Sequence, residues 1–375
     1  MRKRTLILSC AVAVAMLPQA PAIAEVTRSV RAEIPADGHF AIENLAGRMR
    51  VTSGTGNTVV AVATVHAEDE ALAATLNFEK VTGKAGVPTW RMSYPLDKHT
   101  SYKYPDRGDD KNGEKTQDAH HWFHEWLSGW FGGSNTTTEY AGRRVKISNT
   151  SGVLLFADIE IQIPRREVEG TFRNIVGGIH GEGVSGKLNF DVASGNIALE
   201  DLSGKIAADS GSGDIMAMSI EGSYSCDTGS GDCLLEKVRG DTISMDTGSG
   251  NIKAHKVSAK RLSADTGSGD VLVEEADVES ISADTGSGDV EVACDGIRLV
   301  EVSVDTGSGD VTLHIPSDAG FTAHAEQGSG DIDTGFSDAQ PILEDRQVVG
   351  YRRGDGKIRI KVGTGSGDLR ISPGV

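Results

Sequence analysis

Aromatic side chains are scarce in this chain, at 5% of 375 residues, and proline is scarce too, with 10. Large aromatics dominate ordinary globular cores, so their shortage points to a thin core of small and branched residues. Long apolar runs are missing as well. Past residue 24 nothing approaches the roughly 18 consecutive apolar residues that a membrane-spanning helix needs. Basic residues are outnumbered 37 to 54, for a formal charge of −17. A chain this acidic repels phosphate backbones and anionic lipid surfaces, which argues against nucleic acid as a partner and against direct docking on anionic membranes. Cysteine occurs only at Cys10, Cys226, Cys233 and Cys294, and none of these has metal-site spacing. Catalytic signatures are absent too: there is no nucleophile elbow, phosphate loop or zinc motif.

Glycine, by contrast, is abundant, at 47 residues. Much of it lies in Asp-Thr-Gly-Ser-Gly-Asp, complete at Asp227, Asp265, Asp284 and Asp305. A copy from Asp246 ends in Asn251, and one from Asp209 has Ser210 for Thr. Looser copies begin at Asp191, Glu326 and Gly363. Starts from 191 to 326 are spaced by 18, 18, 19, 19, 19, 21 and 21 residues. Self-similarity at a short fixed period marks a solenoid, in which each repeat buries its apolar face only against its neighbours. Between Gly178 and Gly213, Gly-x-Ile or Gly-x-Leu recurs about twice per coil, so each coil consists of two half-coils, each a turn and a strand. The fold class read here is all-β: a single-chain β-solenoid of flattened, two-sided coils of about 18–21 residues, with a three-sided coil as the alternative.

In the coil from Asp265, the alternation places Val271, Val273, Val278, Ile281 and Ala283 inward. Val290, Val292, Leu299, Val302 and Val304 match them in the next coil, and Ile252, Ala254, Val257, Leu262 and Ala264 in the previous one. The glycines are expected to supply positive φ at the corners, with Asp, Thr and Ser bonding to nearby amides.

The same stacking sets carboxylates in rows. At a strand spacing of about 4.8 Å, two of them repel by roughly 0.9 kcal/mol in bulk-water dielectric. These acids are either solvated turn residues or weak cation sites. Calcium suits their hard oxygens, and Asp227, Asp232, Asp265, Asp270, Asp284 and Asp289 are the candidate ligands. A polysaccharide-cleaving site would need acids that differ from their neighbours and converge on a cleft, whereas these are alike in every coil. No catalytic residue and no organic cofactor is assigned.

Residues 1–24 read as a secretory signal peptide: basic Arg2, Lys3 and Arg4, an apolar stretch, and Ala22-Ile23-Ala24 before a cleavage at Glu25. Without it the charge is −20. Residues 25–96 are expected to be worn terminal coils, because Glu43 to Asn57 aligns with Glu200 to Asp214. Residues 97–140 interrupt the pattern: 97–119 are polar and read as loop, and 120–131 as a short helix. That helix would align Trp122, Trp126 and Trp130 on one stripe beside Phe123, either as a cap on the solenoid or as a partner-binding face. His120 and His124, at i and i+4, are a weak metal pair. Residues 141–375 are read as continuous solenoid, with a hairpin at 347–361 turning at Arg353-Gly-Asp-Gly356. Arg-Gly-Asp also occurs at Arg107 and Arg239 and is read as turn chemistry. Cys226 and Cys233 flank one turn at inward positions, either as a disulfide or as two small buried hydrophobes, with Cys294 left over.

The alternation of Leu-Ser-Gly-Lys-Ile206 with Ser-Gly-Ser-Gly-Asp-Ile215, behind a signal peptide, resembles the bacterial "putative adhesin" family of β-strand repeats, a domain of unknown function. The resemblance covers roughly 36–66 and 145–375. It implies an exported, non-catalytic envelope protein of the periplasm or cell surface, acting as scaffold or adhesion module on an envelope or surface component. It also implies a link to envelope-stress systems. A calcium-dependent binding protein is the rival reading.

Overall fold

The computed structural model describes residues 25–105 and 135–374. Two parallel sheets face each other across one narrow core. In a typical coil the strand Ser203–Ser210 runs in one sheet, a corner follows, Ile215–Met218 runs in the other sheet, and Glu221–Thr228 starts the next coil. Ser203 pairs with Glu221 and Ile215 with Cys233, so equivalent residues stack one coil apart. The coil is two-sided. Val271–Thr285 shows this within a single strand, pairing through Val271 with Ile252 in the short-strand sheet and through Asp284 with Asp265 in the long-strand sheet.

Alternation within strands builds the core. All fifteen aliphatic positions expected to face inward from the coils around Asp265 are buried. One column runs Ile197, Ile215, Cys233, Ile252, Val271, Val290 and Val311, and opposite it runs Ile206, Tyr224, Ile243, Leu262, Ile281 and Val302.

The two corners of each coil work differently, and only partly as the sequence suggests: Gly186, Gly195, Gly204 and Gly222 do have positive φ. Positive φ falls at the second corner, on a column of non-glycine residues: Asp201, Ser219, Lys237, Lys256 and Glu275, with φ of 50–56°. In two looser copies of the motif Gly195 and Gly330 have positive φ, but the glycines of the complete copies do not adopt it. They serve close approach instead: a Cβ on Gly269 would lie 1.9 Å from the carbonyl oxygen of Gly250, the equivalent glycine one coil below.

At both ends, stacking order departs from chain order. Phe40–Ala46 lies between Pro88–Ser93 and Val168–Val176, and Met49–Gly54 between Val153–Pro164 and Ile179–Glu182. Residues 40–54 thus occupy a coil, but half a coil away from the sequence alignment: Met49 pairs with Ile179, in the column of Ile197, not of Ile206. Both half-coils carry Gly-x-Ile, so a match in sequence does not distinguish them. Val26–Ile34 and Val59–Ala67 then close the short-strand sheet in antiparallel fashion.

Of the loop expected over 97–119, residues 97–100 and 104–105 have no regular helix or strand, but the stretch between them departs from the expectation. Ser101–Lys103 is a strand between Arg143–Ser148 and Val153–Pro164. Tyr102 and Tyr104 are fully buried, and Tyr94 packs edge-on against Tyr102 and Tyr140 at 5.3 and 5.8 Å. A window average dominated by charged residues hides two core tyrosines.

The C-terminal hairpin expectation also fails. Ile358–Thr364 inserts between Glu301–Thr306 and Phe321–Gln327, while Leu369–Pro373 inserts between Val311–Ile315 and Ile332–Thr334. Gln347–Arg353 pairs instead with Phe321–Gln327 and with Gln340–Glu344. The hairpin lies upstream, turning at Asp345 and Arg346, both with positive φ, which matches the right-handed twist of its strands. Among the described residues no helix is long and apolar enough to cross a membrane.

Candidate functional site

The motif Asp-Thr-Gly-Ser-Gly-Asp separates into structural and unassigned positions. Its threonine is buried and makes two bonds. Thr266 Oγ1 donates to Gly250 O at 2.7 Å, one coil below, and accepts from Gly269 N at 3.2 Å within its own turn. Thr228, Thr247, Thr285 and Thr306 repeat both bonds, and Ser210 substitutes with its own hydroxyl.

The closing acid forms a second ladder, in which each side chain accepts the amide of the coil above. Asp214 Oδ1 accepts from Asp232 N at 3.0 Å, Asp232 Oδ1 from Asn251 N at 2.7 Å, and Asp270 Oδ1 from Asp289 N at 3.0 Å. Asn196 and Asn251 do the same with amide oxygens, because an acceptor is all the position requires. Three calcium candidates, Asp232, Asp270 and Asp289, therefore each have one oxygen committed to the backbone.

The opening acid is different. Asp227, Asp246, Asp265, Asp284 and Asp305 stack in register on the exposed face of the long-strand sheet, and their carboxylates make no hydrogen bond or ion pair among the described residues. Burial first, then the neighbouring carboxylates, raises the carboxyls of Asp209, Asp246 and Asp284 above their ordinary value. A carboxyl raised on folding costs stability above its folded pKa, and that cost fades as pH falls toward the unfolded value. Asp246→Asn should therefore stabilise the protein at pH 7 by on the order of 1 kcal/mol, a gain reduced by salt. The gain should vanish by about pH 4. Parallel melts of variant and parent across pH check this, and a gain that persists in acid would contradict it. The difference between the two proteins is what counts, since Glu169, Asp338 and Asp355 are held low by Lys187, Arg353 and Lys357 and push both the other way.

Among the described residues no three histidine, cysteine or acidic side chains gather in a way that would hold a metal ion. His120, His124, Trp122, Phe123, Trp126 and Trp130 lie outside the described residues, as do residues 1–24, where a signal peptide is expected, and the Arg-Gly-Asp at Arg107. The Arg-Gly-Asp at Arg353 is locked in place. Arg353 donates to Asp338 at 2.7 Å and to the carbonyls of Ser317 and Ala319, and its guanidinium lies 4.7 Å from the Phe336 ring. In the copy at Arg239, Asp241 is paired with Lys260 at 2.9 Å.

Followed toward the N-terminal end, the exposed acidic column changes character. Asp209 pairs with Asp191, Asp191 with Arg173, Arg173 with Glu43 and Glu43 with Arg91. Like charges thus give way to alternating ones: Arg91 Nε lies 2.7 Å from Glu43 Oε2, and Arg173 lies 3.7 Å from Glu43 and 3.3 Å from Asp191. Glu43 is buried, and burial raises the Asp191 carboxyl although Arg173 pulls it down. These side chains line a cavity of about 680 Å³, whose lining also includes His39, Lys84 and Glu139. Lys84 sits in the one-turn 3-10 helix Lys84–Gly86, and Glu139 at the tip of the hairpin formed by Thr136–Tyr140 and Arg143–Ser148. The cavity offers donors and acceptors of both signs, as a polar ligand would need. Sequence reading missed it because its walls come from distant segments; the one trace was an arginine, Arg173, where later coils carry aspartate.

Residues 161–372 match the Toastrack DUF4097 family, a span covering the regular coils and the inserted last one. The chain belongs to the Toastrack family. Its β-solenoid-like fold is that of the family. No curated protein matches the sequence. Several solved structures are similar, among them the following three. One is a "putative cell adhesion protein" of Clostridium sporogenes, 10% identical, covering 93% of this chain and 100% of its own, with a TM-score of 0.22. Another is a "putative lipid binding protein" of Parabacteroides distasonis, 11% identical, covering 92% and 96%, with a TM-score of 0.41. The third is a "putative adhesin" of Bacteroides fragilis, 10% identical, covering 94% and 98%, with a TM-score of 0.33. The Toastrack match supplies Thr171, Arg173, Asn189 and Asp191 of the cavity, whereas His39, Glu43, Lys84, Arg91 and Glu139 come from outside it.

Proposed function

We propose that this protein is a non-catalytic, exported binding or scaffold module of the cell envelope, and that it receives an envelope or surface component in the cavity at the end of the acidic column. One observation carries the reading. The threonine and closing acid of the repeat are committed to holding coils together, while the cavity gathers charged side chains that the repeat does not supply. The signal-peptide pattern of residues 1–24 supports export to the periplasm or cell surface, and the family resemblance supports a place in envelope-stress systems. Capture from the producing cell's envelope fraction tests it, using the parent, a Lys84→Glu/His39→Ala variant of the cavity rim, and a form lacking 120–131. Loss of the captured component only in the rim variant supports the cavity. Loss only in the deletion, with folding intact, moves recognition to the tryptophan segment. Equal capture by all three sinks both.

A second reading has its own support: the unpartnered opening carboxylates, Asp227, Asp265 and Asp284 among them, as a weak calcium-binding row. Melting with calcium and with a chelator distinguishes it, since an unchanged melting temperature removes it.

A further inference from the structure

In each regular coil, the last inward apolar residue of the long strand and the first residue of the short strand lie on either side of the motif turn. These pairs are Ala208 and Ile215, Met245 and Ile252, Ala264 and Val271, Ala283 and Val290. In one coil only, both positions are cysteine. Cys226 and Cys233 stand here as thiols with their sulfurs 2.9 Å apart, at 2% and 0% exposure. That is about 0.9 Å beyond the disulfide bond length of about 2.05 Å. Cys294 is buried elsewhere, on a strand pairing with Ala276. A chain with four cysteines in 375 residues thus places two of them on the one facing pair. The adjacent coils fill these two positions with Ala208 and Ile215 on one side and Met245 and Ile252 on the other, so packing alone does not call for cysteine at either.

We propose that Cys226 and Cys233 form a disulfide that ties the two sheets together across the solenoid core. The proposal rests on the reading that the chain is exported into an oxidising compartment. The chemistry is thiol–disulfide exchange with a disulfide-bearing oxidant, protein or small molecule. One cysteine thiolate attacks an oxidant sulfur and forms a mixed disulfide, and the second thiolate displaces that sulfur. The two cysteines give up two protons and two electrons, and the oxidant's disulfide becomes two thiols. In the folded core, the hydrogen bond between the thiols, and then burial, push the Cys233 thiol far up. Exchange therefore takes place before the coil closes, and the finished bond is shielded from reductant.

The full-length chain, expressed with its own leader and purified without reductant, is denatured, alkylated and weighed. The expected result is one alkylated cysteine, Cys294, in a chain beginning at Glu25, with peptides carrying Cys226 and Cys233 joined and lighter by two hydrogens. Reductant should lower the melting temperature of this protein by several degrees and leave Cys226→Ala/Cys233→Ala unmoved. A processed chain with three alkylated cysteines overturns the disulfide and leaves the export reading standing. An unprocessed chain sinks the export reading instead. Refolding in a glutathione disulfide buffer then decides the bridge, and free thiols at both positions would overturn it.

Discussion

Ending the chain at Gly356 should strip two coils from the stack although it deletes one. The deleted segment carries Ile358, Ile360, Val362, Leu369 and Ile371, all buried, worth together about 10 kcal/mol of gross apolar burial. It also lies inside the stack, between the coil of Glu301–Thr306 and Val311–Ile315 and the coil of Phe321–Gln327 and Ile332–Thr334. Without it, the outer coil loses the parallel partner of both its strands. Amide exchange read coil by coil should show protection lost over 321–353 and retained through Ile252–His255 and Ser258–Thr266, since repeat stability is a sum of nearest-neighbour terms. Protection persisting over 321–334 would mean that the outer coil slides inward and pairs with 301–315, and that the inserted coil is dispensable.

A single methyl group should do comparable local damage. Gly269→Ala places a Cβ 1.9 Å from Gly250 O and 2.5 Å from its carbon, both backbone atoms that cannot step aside without parting the coils. The expected loss is about 3 kcal/mol or more, visible as a melting temperature lower by roughly 5 °C. Ser268→Ala, one residue away on the exposed tip of the same turn, should change stability by no more than about 0.5 kcal/mol. If both substitutions cost the same, the stacked contact is not what selects glycine.

The contrast between these neighbouring positions shows what was legible in advance. Alternation and the Gly-x-Ile half-period depend on local geometry, and they placed Val271, Val273, Ile281 and their equivalents in the core. Which coil lies against which is a long-range matter. Gly363 pairs with Asp305, and Glu326 pairs with Gly363 from the far side, yet the sequence reads smoothly from 305 to 326. Because every coil presents the same pattern, exchanging two of them leaves the periodicity unchanged. The threonine was expected to bond within its own turn, and Gly269 N to Thr266 Oγ1 is such a bond. Its second partner, Gly250 O, belongs to another coil. The cavity was hidden for the same reason: Lys84, Glu139 and Arg173 share a wall only once the N-terminal strands pair with the solenoid.

The central claim is that the repeated motif shapes the coil, and that specificity resides where the repeat stops. The most direct measurement replaces Asp227, Asp246, Asp265, Asp284 and Asp305 together with asparagine, then compares the variant with the parent in melting at pH 7 and in capture of envelope components. The expected result is a higher melting temperature, since stacked repulsion is removed, with capture unchanged. A variant that melts no higher would contradict the stacked repulsion, and one that folds but captures nothing would show that the acidic column itself is the binding surface.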